Sequence, residues 1–183
     1  MNVDYQKVSN ALESTKEEIY LDSNSNNAKT RFVRRGQVYN CYYGFGVGSE
    51  IEKERPVVII SNHICNIKSS NVVVLPITHT EKSLPTFVSI NPKFNLSGEV
   101  ILDGFVNASN ISCVSKARLK DYIANLSDSE MKQVDKALAI SVDLMRYYSE
   151  LSERIEAKEE TIRKLINNKN ESIVDDVIDN KKD

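Results

Sequence analysis

Cysteine is scarce in this chain of 183 residues: Cys41, Cys65 and Cys113 are an odd number at wide spacing, with no C-x-x-C pair. That excludes a disulfide framework and gives no zinc-ligand spacing, so the three read as reduced thiols. Excess positive charge is also missing. A formal net charge of -2 excludes a protein that coats nucleic acid nonspecifically through many Lys and Arg, while leaving room for a local basic site. No apolar run approaches the roughly 20 residues that span a bilayer, and "MNVDYQKVSNALESTKEE" lacks the basic-then-apolar pattern of a signal peptide. The expectation is a cytoplasmic protein with no membrane association. What is present, 40% hydrophobic residues, fills one core of ordinary size with appendages.

Residues 1–21 carry Tyr5, Val8, Leu12, Thr15 and Ile19 at alternating steps of three and four, one stripe of an amphipathic helix that needs a partner. The Ser, Asn and Asp run within 22–31 reads as a flexible linker. From residue 32 the period changes. "GQVYNCYYGFGVG" is aromatic and punctuated by Gly36, Gly44, Gly46 and Gly48, as a strand running into a mobile loop would be. "RPVVIIS" and "NVVVLPIT" are β-branched runs too short for buried helices, and "PTFVSIN" and "EVILDGFV" complete a set of short strands with no helix between them. Such a series predicts an α+β protein whose small twisted sheet closes into a barrel spanning 32–146.

Near the end of that span, "LSDSEMKQVDKALAISVDLM" offers Ser127 as N-cap with Glu130 three residues on, then Met131, Val134, Leu138 and Met145 on one apolar face. In 147–168 the helix continues. Leu144, Tyr148, Leu151, Ile155, Lys158, Ile162 and Leu165 form a heptad seam of coiled-coil character with one polar interruption. The charges from Ser152 to Lys164 read as its solvated face. The seam would lengthen a dimer interface, pair with the N-terminal helix, or hold a partner's amphipathic segment. The tail, 169–183, is polar at both ends and reads as frayed when alone.

Taken in order, "RRGQVY", "GSEIEKERPVVIISN", "VVVLPIT", "LPTFVSI" and "LSDSEMKQVDKALAISVDL" resemble the successive blocks of the MazF/PemK toxins of type II toxin-antitoxin modules. The Gly-Ser-Glu loop followed by the Arg-Pro entry to a Val/Ile strand is the most specific part. The resemblance implies an SH3-like β-barrel of the CcdB/PemK type, usually a homodimer, that cuts single-stranded RNA at short sequences and is restrained by a cognate antitoxin. It implies no metal or organic cofactor.

Cutting RNA without a metal needs a base for the 2′-hydroxyl proton, a cation for the charge building on the phosphate, and a proton for the departing 5′ oxygen. Arg55 stays protonated and its planar fork suits phosphate oxygens, while Pro56 fixes the chain beside it. By resemblance, Thr78 lies across the same cleft and holds the scissile phosphate. Glu50 is a base or an orienter of Arg55 by the same resemblance, and an ion-pair partner of Arg55 on the bare reading. Ser49 and Asn62 match positions near the RNA groove. Tyr42, Tyr43 and Phe45 offer stacking faces for bases, or pack the core and loop.

The stretch "NISCVSKARL" departs from the family pattern: Asn110 stands for its glutamine, but Ser112 occupies its arginine position and Cys113 its threonine position. A phosphate-binding cation is missing there, with Lys116 and Arg118 nearby as compensation. The two histidines are His63 and His79. His79 follows Thr78 and is assigned to the RNA cleft, where an imidazole titrates usefully. His63 and Cys65 would share a face of a strand with no third group to orient them. Two other readings stay open: a barrel that binds RNA or protein without cutting, and a gyrase-directed toxin of the CcdB kind.

Overall fold

The computed structural model describes the backbone of residues 4–179 and the side chains of residues 4–166. Its chain divides into one unit through Ser141 and a second from Val142. In the first, helix α1 (Tyr5–Ser23) opens on Asp4, whose carboxylate accepts from the backbone N–H groups of Gln6 and Lys7. The stripe expected to be buried is exposed: Tyr5, Leu12 and Ile19 are each more than 60% accessible. The helix docks instead through Ser14, Glu17 and Glu18, with Glu18 on Arg118 at 2.9 Å and Glu17 on Lys120 at 3.8 Å. Its period was readable, but which face docks was decided by two distant cations.

The linker at 22–31 is not loose. It contains the short helix α2 (Ser25–Ala28), Arg31 donates to the carbonyls of Leu119 and Lys120, and Val33 just beyond is fully buried. Seven antiparallel strands follow: β1 (Gln37–Tyr42), β2 (Glu54–Ile59), β3 (Asn71–Thr78), β4 (Phe87–Phe94), β5 (Val100–Asn107), β6 (Ser112–Ser115) and β7 (Leu119–Asn125). They pair in the order β4-β5-β3-β2-β1-β7, and β6 also pairs with β3. Strand β3 bonds β6 along Asn71–Val74 and β5 at Ile77 and Thr78. The sheet therefore curls about β3, a half-barrel.

Curling gives two apolar layers. Val38, Val58, Ile60, Leu75, Ile77 and Val106 belong to one cluster, and Tyr39, Cys41, Val57, Ile59, Val72 and Val74 to the other. Because successive strand residues face opposite sides, an unbroken "VVII" run feeds both. Burial pushes the Cys41 thiol up to about 12, which makes it inert packing.

Helix α3 (His63–Lys68) corrects the expectation of no helix between strands. His63 and Cys65 lie on it and not on a strand, so they do not share a face as expected. Helix α4 (Asp128–Ser141) packs Val134 and Ala137 into the first cluster. Its expected capping box is present: Glu130 N–H donates to Ser127 Oγ at 3.3 Å, and the Glu130 carboxylate accepts from Ser127 N–H at 2.7 Å. That carboxylate also accepts from Lys93 Nζ and Asn91 N–H at 2.8 Å each. Burial alone would raise its pKa, but these bonds outweigh burial and bring it down to about 2.

Met145 does not continue the α4 face. The helix stops at Ser141, Asp143 takes a positive φ of 56°, and a new helix starts. That helix, α5 (Leu144–Asp179), makes up the second unit. The tail expected to fray runs on as helix to Asp179, and 180–183 lie outside the described residues. Pairs at i, i+4, including Arg146–Glu150 and Glu160–Lys164, support it locally. Among the described residues no helix is long and apolar enough to cross a membrane.

Candidate active site

Strand β2 has an exposed start and a buried end: Glu54 and Arg55 are open to solvent, while Val57, Val58 and Ile59 are fully buried. Its neighbour β3 runs antiparallel, with Val57 opposite Pro76. That register brings the far end of β3, Thr78, back beside Arg55. The two line one cleft of about 290 Å³ with Glu54, His79, Leu102 and Asp103. Among the described residues no carboxylate is ion-paired to Arg55, whereas Glu54 beside it holds Lys120 Nζ at 2.9 Å. Thr78 Oγ1 accepts from Thr80 N–H at 3.1 Å, a local turn that leaves its hydroxyl hydrogen to donate into the cleft. His79 Nε2 lies 2.6 Å from Asp103 Oδ1.

The remaining candidates do not join this cleft. The segment between β1 and β2 closes as a hairpin, Tyr43 N–H to the Lys53 carbonyl and Lys53 N–H to the Gly44 carbonyl at 2.8 Å each, then folds back at Gly48. Glu50 therefore faces a second cleft, which it shares with Phe45, Asn110 and Ser112. Its carboxylate accepts from Val47 N–H at 2.9 Å. The expected ion pair between Glu50 and Arg55 is not formed, because this turn claims the carboxylate. Ser49 is exposed in the same loop. Asn62 caps α3, accepting from Cys65 N–H at 2.8 Å.

Neither cation proposed to replace the missing arginine is available to a ligand. Lys116 is buried, and its Nζ donates to the carbonyls of Asn66 at 2.6 Å and Lys29 at 3.4 Å. Burial lowers its pKa. Arg118 donates to the Tyr42 carbonyl and to Glu18. Of the loop aromatics, Tyr42 lies under Lys120 Nζ at 5.5 Å and Tyr43 is largely enclosed, which leaves Phe45, 43% exposed, as the open ring.

Sequence reasoning missed Asp103 and Gly104. The signal was present as an Asp-Gly step inside the apolar run "EVILDGFV", since glycine within a strand often marks a close backbone approach. Gly104 has φ +104°, and a Cβ there would lie 2.5 Å from the Thr78 carbonyl oxygen. Gly104→Ala is expected to cost about 1–3 kcal/mol through backbone strain and to push the end of β3 outward. Thermal unfolding monitored by circular dichroism checks it, and an unchanged melting temperature would contradict it.

Comparison with known proteins places this geometry. A family model described as PemK-like, MazF-like toxin of type II toxin-antitoxin system matches residues 34–142. Endoribonuclease MazF1 of Mycobacterium bovis and endoribonuclease MazF4 of Mycobacterium tuberculosis are each 34% identical over 110 residues, 60% of this chain and 92% of theirs. An endoribonuclease solved in complex with its cognate antitoxin, from a mycobacterial species, is 33% identical with a TM-score of 0.52, covering 61% of this chain and 96% of its own. MazF from Deinococcus radiodurans, 17% identical with a TM-score of 0.54, shares the fold. The matched segment holds all seven strands, α3 and α4, together with Arg55 and Thr78, and on that ground the chain belongs to the PemK-like, MazF-like toxin family of type II toxin-antitoxin systems.

Proposed function

We propose that the chain is a toxin that acts as a sequence-specific endoribonuclease on single-stranded RNA, without a metal ion, leaving 2′,3′-cyclic phosphate and 5′-hydroxyl ends. The observation that carries this reading is the meeting of Arg55 and Thr78 in one cleft. Arg55 presents a guanidinium fork to the phosphate and stabilises the charge gathering on its equatorial oxygens, and the Thr78 hydroxyl fixes the phosphate for in-line attack. In this reading the half-barrel is an SH3-like barrel that works as a homodimer, α5 is a coiled-coil extension, and a cognate antitoxin covers the cleft. Glu50, Asn110 and Ser112 form a neighbouring subsite for flanking bases, with Phe45 as the stacking ring.

The test is a long mixed-sequence RNA incubated with the purified chain in EDTA, with new 5′ ends mapped and their chemistry read by susceptibility to polynucleotide kinase. Discrete cuts with 5′-hydroxyl ends are expected. Intact RNA bound by folded protein would favour the non-cutting reading, and gyrase inhibition without RNA cleavage would favour the CcdB-like one.

A further inference from the structure

Arg55 and Thr78 leave the base for the 2′-hydroxyl proton unassigned. A guanidinium stays protonated at physiological pH and accepts no proton, and a threonine hydroxyl is far too weak a base. Glu50 lies in the neighbouring cleft on Val47 N–H. Among the cleft's other titratable residues, Glu54 is ion-paired to Lys120 Nζ at 2.9 Å. His79 and Asp103 remain.

We propose that His79 and Asp103 form the proton-transfer dyad of this cleft, with His79 the general base for the 2′-hydroxyl and Asp103 the positioning residue that holds its imidazole. This rests on the ribonuclease reading and adds to it a residue pair that no motif indicated. Three features carry it. The Nε2 to Oδ1 separation of 2.6 Å is a short charge-assisted contact, and with Nε2–H directed at the carboxylate the neutral ring keeps its Nδ1 lone pair for a proton. His79 directly follows Thr78, so base and phosphate-holding hydroxyl are fixed to one another by a single peptide. The absence of a side chain at Gly104 lets β5 approach this peptide: a Cβ there would lie 2.5 Å from the Thr78 oxygen and 3.5 Å from His79 Cα. Asp103 is thereby set against the ring. The imidazole is 82% exposed and its partner 47%, open enough for a polymer to reach.

In the step, the 2′ oxygen bonds to phosphorus as the bond from phosphorus to the 5′ oxygen breaks. The 2′ proton passes to Nδ1 of His79, and the leaving 5′ oxygen takes a proton from water. Deprotonation of the imidazolium by solvent restores the base. The charged groups that line the cleft with the imidazole are Asp103 from β5 and Glu54 and Arg55 from β2.

The experiment measures kcat and KM for a short cleavable RNA across pH in wild type, His79→Gln, His79→Gly, Asp103→Asn and Arg55→Ala, with circular dichroism confirming folding. His79→Gln is expected to lower kcat by about 10²–10⁴-fold with little change in KM, and added imidazole to restore part of the rate of His79→Gly. Asp103→Asn is expected to keep measurable activity while lowering kcat with little change in KM, because the ring loses the carboxylate that orients it. Wild-type kcat and pH profile in His79→Gln, or a change in KM alone, would overturn the dyad while Arg55→Ala still slowed cleavage. Wild-type protein that cuts nothing would overturn the ribonuclease reading and the dyad together.

Discussion

Arg55→Ala is expected to lower single-turnover RNA cleavage by about 10²–10³-fold, the usual loss when one preorganised donor to a developing oxyanion is removed. Its cause is local. Arg55 stands at the exposed start of β2 and lines the cleft with Thr78, so truncation removes charge from the reacting phosphate without opening a cavity or stranding a partner. The melting temperature should therefore stay within a degree or two of wild type. Arg55→Lys separates charge from shape: an ammonium supplies the charge but not the planar fork, and an intermediate rate is expected. Equal rates for Arg55→Ala and wild type would remove Arg55 from the mechanism.

The largest effect on stability is expected at Glu130. This carboxylate is 3% exposed and closes three separate connections, to Lys93 of β4, to Asn91 N–H and to the start of its own helix at Ser127. Glu130→Ala leaves a half-buried ammonium and two backbone donors without their acceptor, and a loss of about 3 kcal/mol is expected, at the lower end for a broken buried pair. The same group predicts an acid dependence. Its pKa falls from 4.5 in the unfolded chain to about 2 in the fold, so the unfolded state binds the proton more readily. The contribution, about 3 kcal/mol, is complete above pH 4.5 and is lost as pH falls toward and through about 2. Urea unfolding of wild type and Glu130→Gln between pH 7 and pH 2 checks it: the two curves should converge at the acid end, and a constant gap would contradict the assignment.

How much was legible beforehand follows from how local each signal was. The runs over β2 and β3 announced themselves because β-branched segments of that length, buried on both faces, have few other solutions. The α4 capping box was readable for the same reason, since all its groups lie within four residues. Strands β6 and β7 are obscured in the sequence because Lys116 and Arg118, candidates to replace the missing arginine, lie in a 3-10 turn between them whose lysine is buried. Asn62, matched by resemblance to a position near the RNA groove, is the N-cap of α3, a role its place before "HICNIK" permits equally well. The separation of Glu50 from Arg55 depends on the turn that ties the Glu50 carboxylate to Val47 N–H, in a loop where Lys53 takes a positive φ of 63° that no residue type announces. The pairing of His79 with Asp103 joins two strands across the sheet, and only tertiary register creates it.

The burial of β2 on both faces has a kinetic consequence. Val57 and Val58 are paired with β1 on one edge and β3 on the other and have no exposed side, so their amide hydrogens exchange only when the whole unit opens. The loop that ends two residues before Arg55 is exposed at Val47 to Glu50 and is held only by local turn bonds. The arginine thus stands at the border between amides protected by the whole fold and a solvent-exposed loop, so hydrogen exchange should change by orders of magnitude within a few residues of it.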